Sequence, residues 1–96
     1  MTIATDQIKV VLLEDEDLLR GLLSEWLSGQ PDIELLDSFR SLEAFNASLH
    51  TSVQHADIII SDLFLADGDG LDAILRVIAS HSKSQKLVVI SGRPTA

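Results

Sequence analysis

Short apolar runs without alternation, separated by stretches of helical period, constrain this chain more than any other feature. Ile8-Lys9-Val10-Val11-Leu12-Leu13, Ile58-Ile59-Ile60 and Leu87-Val88-Val89-Ile90 read as strands buried on both faces. Ile33-Glu34-Leu35-Leu36 is a weaker strand candidate. Between the first two, Leu18, Leu19, Leu22, Leu23, Trp26 and Leu27 recur at helical spacing and stop at Ser28-Gly29, with Pro31 beyond. Trp26 therefore reads as packing. Ser41 is a candidate cap for a second helix with an apolar face of Leu42, Phe45, Leu49 and Val53. A Gly/Asp loop over 66–70 leads to a third helix, with Leu71, Ile74, Leu75 and Ile78 inward, and 81–85 reads as a turn. Strand–helix–strand repetition of this kind predicts an α/β fold, a doubly wound parallel sheet with right-handed crossover helices on both faces. A length of 96 residues allows one domain, spanning 1–96.

Composition removes several function classes. A hydrophobic fraction of 46% is too high for intrinsic disorder. No apolar run approaches the roughly 20 residues that a bilayer requires, and residues 1–9 do not resemble a secretory signal. The absence of cysteine excludes disulfides and thiolate metal sites, and agrees with a reducing, cytoplasmic setting. A net charge of -8 argues against nucleic-acid contact by this segment. Acidic charge serves solubility by default, so its placement decides whether it does more.

In doubly wound folds, ligands bind beyond the carboxyl ends of the strands, where strand order reverses. The first strand is followed by Glu14, Asp15, Glu16 and Asp17, the third by Asp62, and the fourth by Ser91 and Gly92. With strand order 2-1-3-4, strands one and three are neighbours, and Glu14, Asp15 and Asp62 converge with the Ser91 hydroxyl beside them. Carboxylates held together repel unless a cation neutralises them. Hard oxygen donors suit Mg²⁺ or Mn²⁺. A carboxylate in such a site can attack a phosphoryl group and become an aspartyl phosphate.

The order of these segments resembles a known family. Lys9-Val10-Val11-Leu12-Leu13-Glu14-Asp15-Glu16 is similar to the opening of response-regulator receiver domains, which are flavodoxin/CheY-like in fold. Ile58-Ile59-Ile60-Ser61-Asp62-Leu63-Phe64-Leu65 resembles their third strand and phosphoacceptor, Asp69-Gly70-Leu71 the start of their third helix, and Val88-Val89-Ile90-Ser91-Gly92 their fourth strand. Gln30-Pro31-Asp32-Ile33-Glu34 looks like the receivers of LuxR/NarL-type transcription regulators. The resemblance covers essentially the whole chain. It implies two-component signal transduction, with Asp62 accepting a phosphoryl group from a sensor histidine kinase. Asp15 would bind the metal directly, Glu14 mainly through water, and the Phe64 backbone carbonyl would be a further ligand. Ser91 would hydrogen-bond the phosphoryl group, helped by main-chain N–H groups near Phe64 and Gly92. Phe64 and Arg93 would flank the path of hydrolytic water, so a bulky Phe64 is expected to slow dephosphorylation.

Three departures bear on this. The acidic pair is Glu14-Asp15 rather than Asp-Asp, a common enough variation. A proline is usual where Ala66 stands. The chain also stops at Ala96, before the fifth strand, its phosphate-contacting lysine and the last helix, so a receiver shortened after strand four is expected. The bare fourth strand would then favour a homodimer or strand-exchanged oligomer.

Plainer readings stand beside these. Glu14 to Asp17 are also what a helix N-terminus favours, Asp62 a turn residue, and Ser91 a strand cap. His50, His55 and His81 lie where solvated histidines are common. Asp67-Gly68-Asp69-Gly70 fails the calcium-loop pattern, because the first and twelfth positions would be Leu65 and Arg76. Two alternatives remain: a pseudo-receiver interaction module that cycles no phosphate, and a haloacid-dehalogenase-type phosphohydrolase suggested by Asp67-Gly68-Asp69-Gly70.

Overall fold

The computed structural model describes residues 7–62, 64–65, 68–80 and 86–89. In chain order the elements are β1 (Ile8–Leu13), α1 (Asp17–Ser28), β2 (Ile33–Phe39), α2 (Leu42–Ala47), α3 (Ser52–His55), β3 (Ile58–Ser61), β4 (Phe64–Leu65), β5 (Gly68–Asp69), α4 (Gly70–Ser80) and β6 (Lys86–Val89). The four longer strands form one parallel sheet in the order β2-β1-β3-β6, the doubly wound order expected. β4 and β5 pair separately as a short antiparallel hairpin; β5 falls within the 66–70 segment expected to be a loop, and β4 precedes it. No helix among the described residues is long and apolar enough to cross a membrane.

The apolar run of β1 is explained by its central position. Val10, Val11, Leu12 and Leu13 are none of them more than 2% exposed. Side chains alternate along a strand, so Val11 and Leu13 look one way and Val10 and Leu12 the other. Val11, Leu13 and Ile59 pack with Phe39, Leu42, Phe45, Val53, Ala56, Leu65, Ile74 and Val77 in the main core. Phe39 and Phe45 meet edge-to-face there, with ring centroids 5.8 Å apart. α1 packs on β1 and β2.

Several expectations about helices need correction. In α1, Leu27 is buried and Leu19 and Leu23 are half-buried, but Leu18, Leu22 and Trp26 are 70%, 56% and 60% exposed. Each outer residue precedes an inner one by one position, about 100° around the axis. A helix lying on a sheet buries only one such stripe. Trp26 is therefore not core packing. In α4, among the described side chains, Ile74 and Val77 are buried and Ile78 is half-buried, while Leu75 is 52% exposed; the side chain of Leu71 lies outside the described residues.

The expected second helix is two. Ser41 does cap α2, its Oγ accepting from the Ala44 N–H at 3.1 Å. After Ala47 the chain tightens: the Ser48 N–H donates to the Phe45 carbonyl at 3.0 Å and the Thr51 N–H to the Ser48 carbonyl at 3.1 Å. Thr51 Oγ1 also donates to the Ser48 carbonyl at 3.1 Å, the local competition by which hydroxyls interrupt helices. The break still buries Phe45 and Val53 completely.

β2 runs beyond Leu36 to Phe39. Asp37 and Ser38 are tolerated because β2 is an edge strand, with one side of its backbone and an exposed Asp37 free of the core. The expected turn at 81–85, and Ile90 at the end of the fourth strand, lie outside the described residues.

Candidate functional site

The parallel register pairs Leu13 with Ser61, the last residues of β1 and β3. Glu14 and Asp62 therefore leave adjacent strands at the same level. Two backbone bonds fix them: the Asp62 N–H donates to the Leu13 carbonyl at 3.3 Å, and the Glu14 N–H to the Phe39 carbonyl at 3.0 Å. Glu14 is 3% exposed, Asp62 6%, and Asp15 half-buried. One carboxylate oxygen from each of Glu14, Asp15 and Asp62 lies within 4.8 Å of the others. Glu16 and Asp17 are exposed and stand outside this group.

At Glu14 the surroundings disfavour the charged form. The Glu14 carboxyl is pushed above its ordinary 4.5, first by burial. The Glu16 N–H, donating to Glu14 Oε2 at 3.0 Å, pulls the other way. A hydrogen bond with the Asp15 carboxyl and the charges of Asp62 and Asp15 raise it further. Three oxygen donors of one sign at this spacing fit a small, hard divalent cation, and Mg²⁺ or Mn²⁺ is the chemistry they suit.

Asp17, fully exposed, shows the opposite behaviour. Its carboxyl is held below the usual range by hydrogen bonding to Arg20 and by the charges of Arg20 and Arg40. Sequence reading did not single out Arg20. Its guanidinium donates from Nη1 to the Glu14 carbonyl at 3.1 Å and from Nη2 to Asp17 Oδ1 at 2.6 Å, with the side chain 20% exposed. The signal available was the three-residue spacing of Asp17 and Arg20 on a helix, which brings opposite charges together. Ser61, also buried, donates its Oγ to the Asp62 carbonyl at 2.8 Å.

Other candidates divide cleanly. Phe64 enters β4 two residues after Asp62, and its side chain lies outside the described residues. Ser91, Gly92, Arg93, Ala66, Asp67 and His81 also lie outside them. His50 and His55 are exposed. Gly68 and Asp69 form β5, in the small hairpin rather than the main sheet. The acids that directly follow main-sheet strands are Glu14 and Asp62, and Asp69 is not among them, so the phosphohydrolase reading of Asp67-Gly68-Asp69-Gly70 loses its structural basis. Gly68 has φ +153°, and a Cβ there would lie 2.8 Å from Leu42 Cδ1. That positive φ favours glycine, and any side chain there would also have to push aside the tip of Leu42 in α2.

No protein-family model matches the chain. It is 28% identical over 86 residues to the protein-glutamate methylesterase/protein-glutamine glutaminase of Nitrobacter hamburgensis, covering 88% of this chain and 21% of that protein. It is 26% identical over 84 residues to the transcriptional regulatory protein CitB of Klebsiella pneumoniae, covering 88% of this chain and 35% of CitB. The chain thus spans about a fifth to a third of these curated relatives. Among solved structures it is similar to the isolated REC domain of RcsB from Salmonella enterica serovar Typhimurium, in the presence of phosphomimetic BeF3-. The TM-score is 0.75 at 18% identity, over 94% of this chain and 65% of that one. A parallel β2-β1-β3-β6 sheet with its acids at the carboxyl ends of β1 and β3, and the likeness to the RcsB REC domain, give this chain the CheY-like receiver fold.

Proposed function

We propose that the chain is a phosphoacceptor switch of a two-component system, with Asp62 taking a phosphoryl group from the phosphohistidine of a sensor histidine kinase in the cytoplasm. What supports this reading is the approach of Glu14, Asp15 and Asp62 to within 4.8 Å at the ends of adjacent strands. A carboxylate oxygen of Asp62 attacks phosphorus in line with the leaving imidazole. The P–O bond forms as the P–N bond breaks, and the electron pair stays on the imidazole nitrogen, which takes up a proton from solvent water. Burial of Asp62 holds its carboxylate in one place and limits competing water. Mg²⁺ (or Mn²⁺), when bound, offsets the negative charge shared by the acceptor and phosphoryl oxygens. Glu14 and Asp15 would hold that cation with Asp62 and the Phe64 carbonyl, and Ser91 would donate its hydroxyl to a phosphoryl oxygen. The domain is a substrate of this chemistry rather than an enzyme with an external substrate.

The output is proposed from the relatives. Similarity to CitB favours transcriptional regulation. Similarity to protein-glutamate methylesterases favours a second reading, a receiver that governs an attached esterase. Assays of the natural gene product for DNA binding and for methylesterase activity decide between them.

Incubation with acetyl phosphate and Mg²⁺, followed by intact-mass measurement, tests the switch. We expect the mass of one phosphoryl group, absent without the metal and absent in Asp62→Asn. No gain in the wild-type chain would favour the pseudo-receiver module instead.

A further inference from the structure

Arg20 is the fourth residue of α1, yet its side chain reaches back to the peptide that joins Glu14 to Asp15. We infer that Arg20 is a positioning residue for the divalent-cation site, an inference that rests on the metal reading above. Nη1 donates to the Glu14 carbonyl at 3.1 Å, and Nη2 to Asp17 Oδ1 at 2.6 Å. The guanidinium fork thus spans the loop from the end of β1 to the first turn of α1. A planar, two-pronged donor fixes direction as well as distance, which a single ammonium cannot do. The Glu14–Asp15 peptide determines where both carboxylates point. The peptide before it is held by the Glu14 N–H on the Phe39 carbonyl, and Arg20 holds the Glu14–Asp15 peptide itself through the Glu14 carbonyl. Arg20 thus sets the direction of the Glu14 carbonyl, beside the bond by which the Glu16 N–H holds Glu14 Oε2.

Charge alone makes the opposite prediction. Arg20 is a cation close to a site for cations, so removing it should tighten metal binding if electrostatics were its only role. If it sets geometry, removing it should weaken binding, by about tenfold or more, as is usual when a group orienting a metal ligand is lost. The sign of the change separates the two.

The experiment titrates Mg²⁺ into the chain by calorimetry, and Mn²⁺ by electron paramagnetic resonance, for wild type, Arg20→Met, Arg20→Lys and Asp62→Asn. Thermal unfolding of each is followed in chelator. We expect Arg20→Met to bind about tenfold more weakly, and Arg20→Lys, which keeps the charge but not the fork, to be weakened as well. Folding in chelator should persist in both. Arg20→Met binding as tightly as wild type, or more tightly, would overturn the inference while leaving the metal site intact. If Arg20→Met fails to fold, unweakened binding by Arg20→Lys overturns it equally. Metal binding that is absent from wild type, or undiminished in Asp62→Asn, would overturn the site itself and this inference with it.

Discussion

On one face of the sheet, α2, α3 and α4 lay Leu42, Phe45, Val53, Ile74 and Val77 against Val11, Leu13 and Ile59, and every one of these is buried. On the other, α1 covers β1 and β2, Val10 and Leu12 are buried, but Ile58 and Ile60 of β3 are only half-buried. The same face carries Ser24, whose Oγ is buried with no hydrogen-bond partner among the described residues. An unmet bond of that kind costs about 1–3 kcal/mol. The outer stripe of α1 (Leu18, Leu22 and Trp26) faces away from the sheet altogether. The contrast teaches that full burial of a central strand does not require equal layers: one tightly interlocked face suffices, and the second can remain partly open.

Three substitutions break or sharpen that contrast, in descending order of effect. Phe45→Ala empties the closed face and removes the edge-to-face contact with Phe39. We expect a loss of about 3–5 kcal/mol in denaturant unfolding. A loss under about 1 kcal/mol would mean that the interlocked face is not the seat of stability.

Next comes the acid cluster at the ends of β1 and β3. The folded chain binds a proton at Glu14 more readily than the unfolded chain does, because its carboxyl is raised above 4.5. The unfolded state therefore gives up that proton first. Stability is unaffected by Glu14 below its unfolded pKa and declines as pH rises from there through the raised folded value. In metal-free buffer, Glu14→Gln should remove this decline, leaving the variant more stable than wild type at neutral pH. Melting temperatures measured across that range, in chelator, check it; identical slopes would show that Glu14 is not the group responsible.

The smallest effect belongs to the outer stripe. Trp26→Gln should change stability by no more than about 0.5 kcal/mol, since an exposed side chain loses little on replacement. A large loss by the same denaturant measurement would reveal that something covers this face in solution.

Much of this arrangement was legible in the sequence, for definite reasons. Val10–Leu13 and Ile58–Ile60 have no polar alternation to mislead, and a central parallel strand has no other use for such runs. Glu14, Asp15 and Asp62 were legible because the fold fixes where strand ends point. Helix facing was not. Six apolar positions in α1 leave the buried stripe undetermined, and only packing against β1 and β2 selects Leu19, Leu23 and Leu27 over Leu18, Leu22 and Trp26. The end of α2 was missed because apolar period ran on through Leu49 to Val53, while Ser48 and Thr51 turned the backbone. Arg20 was missed because its more informative bond goes to a main-chain carbonyl, which no pattern of side chains announces.

β1 and β2 pair with a shift between Val10 and Val11: Val10 faces Leu35, Val11 faces Asp37, and Leu36 has no partner. That skipped residue reverses parity along β2. Strict alternation would send Leu35 and Phe39, four positions apart, to one side of the sheet. With the skip, Leu35 follows Val10 toward the α1 layer, while Phe39 follows Leu13 toward Phe45. A single strand on the rim thereby serves two separate interiors, and the same offset brings the Phe39 carbonyl level with the Glu14 amide that begins the acidic loop.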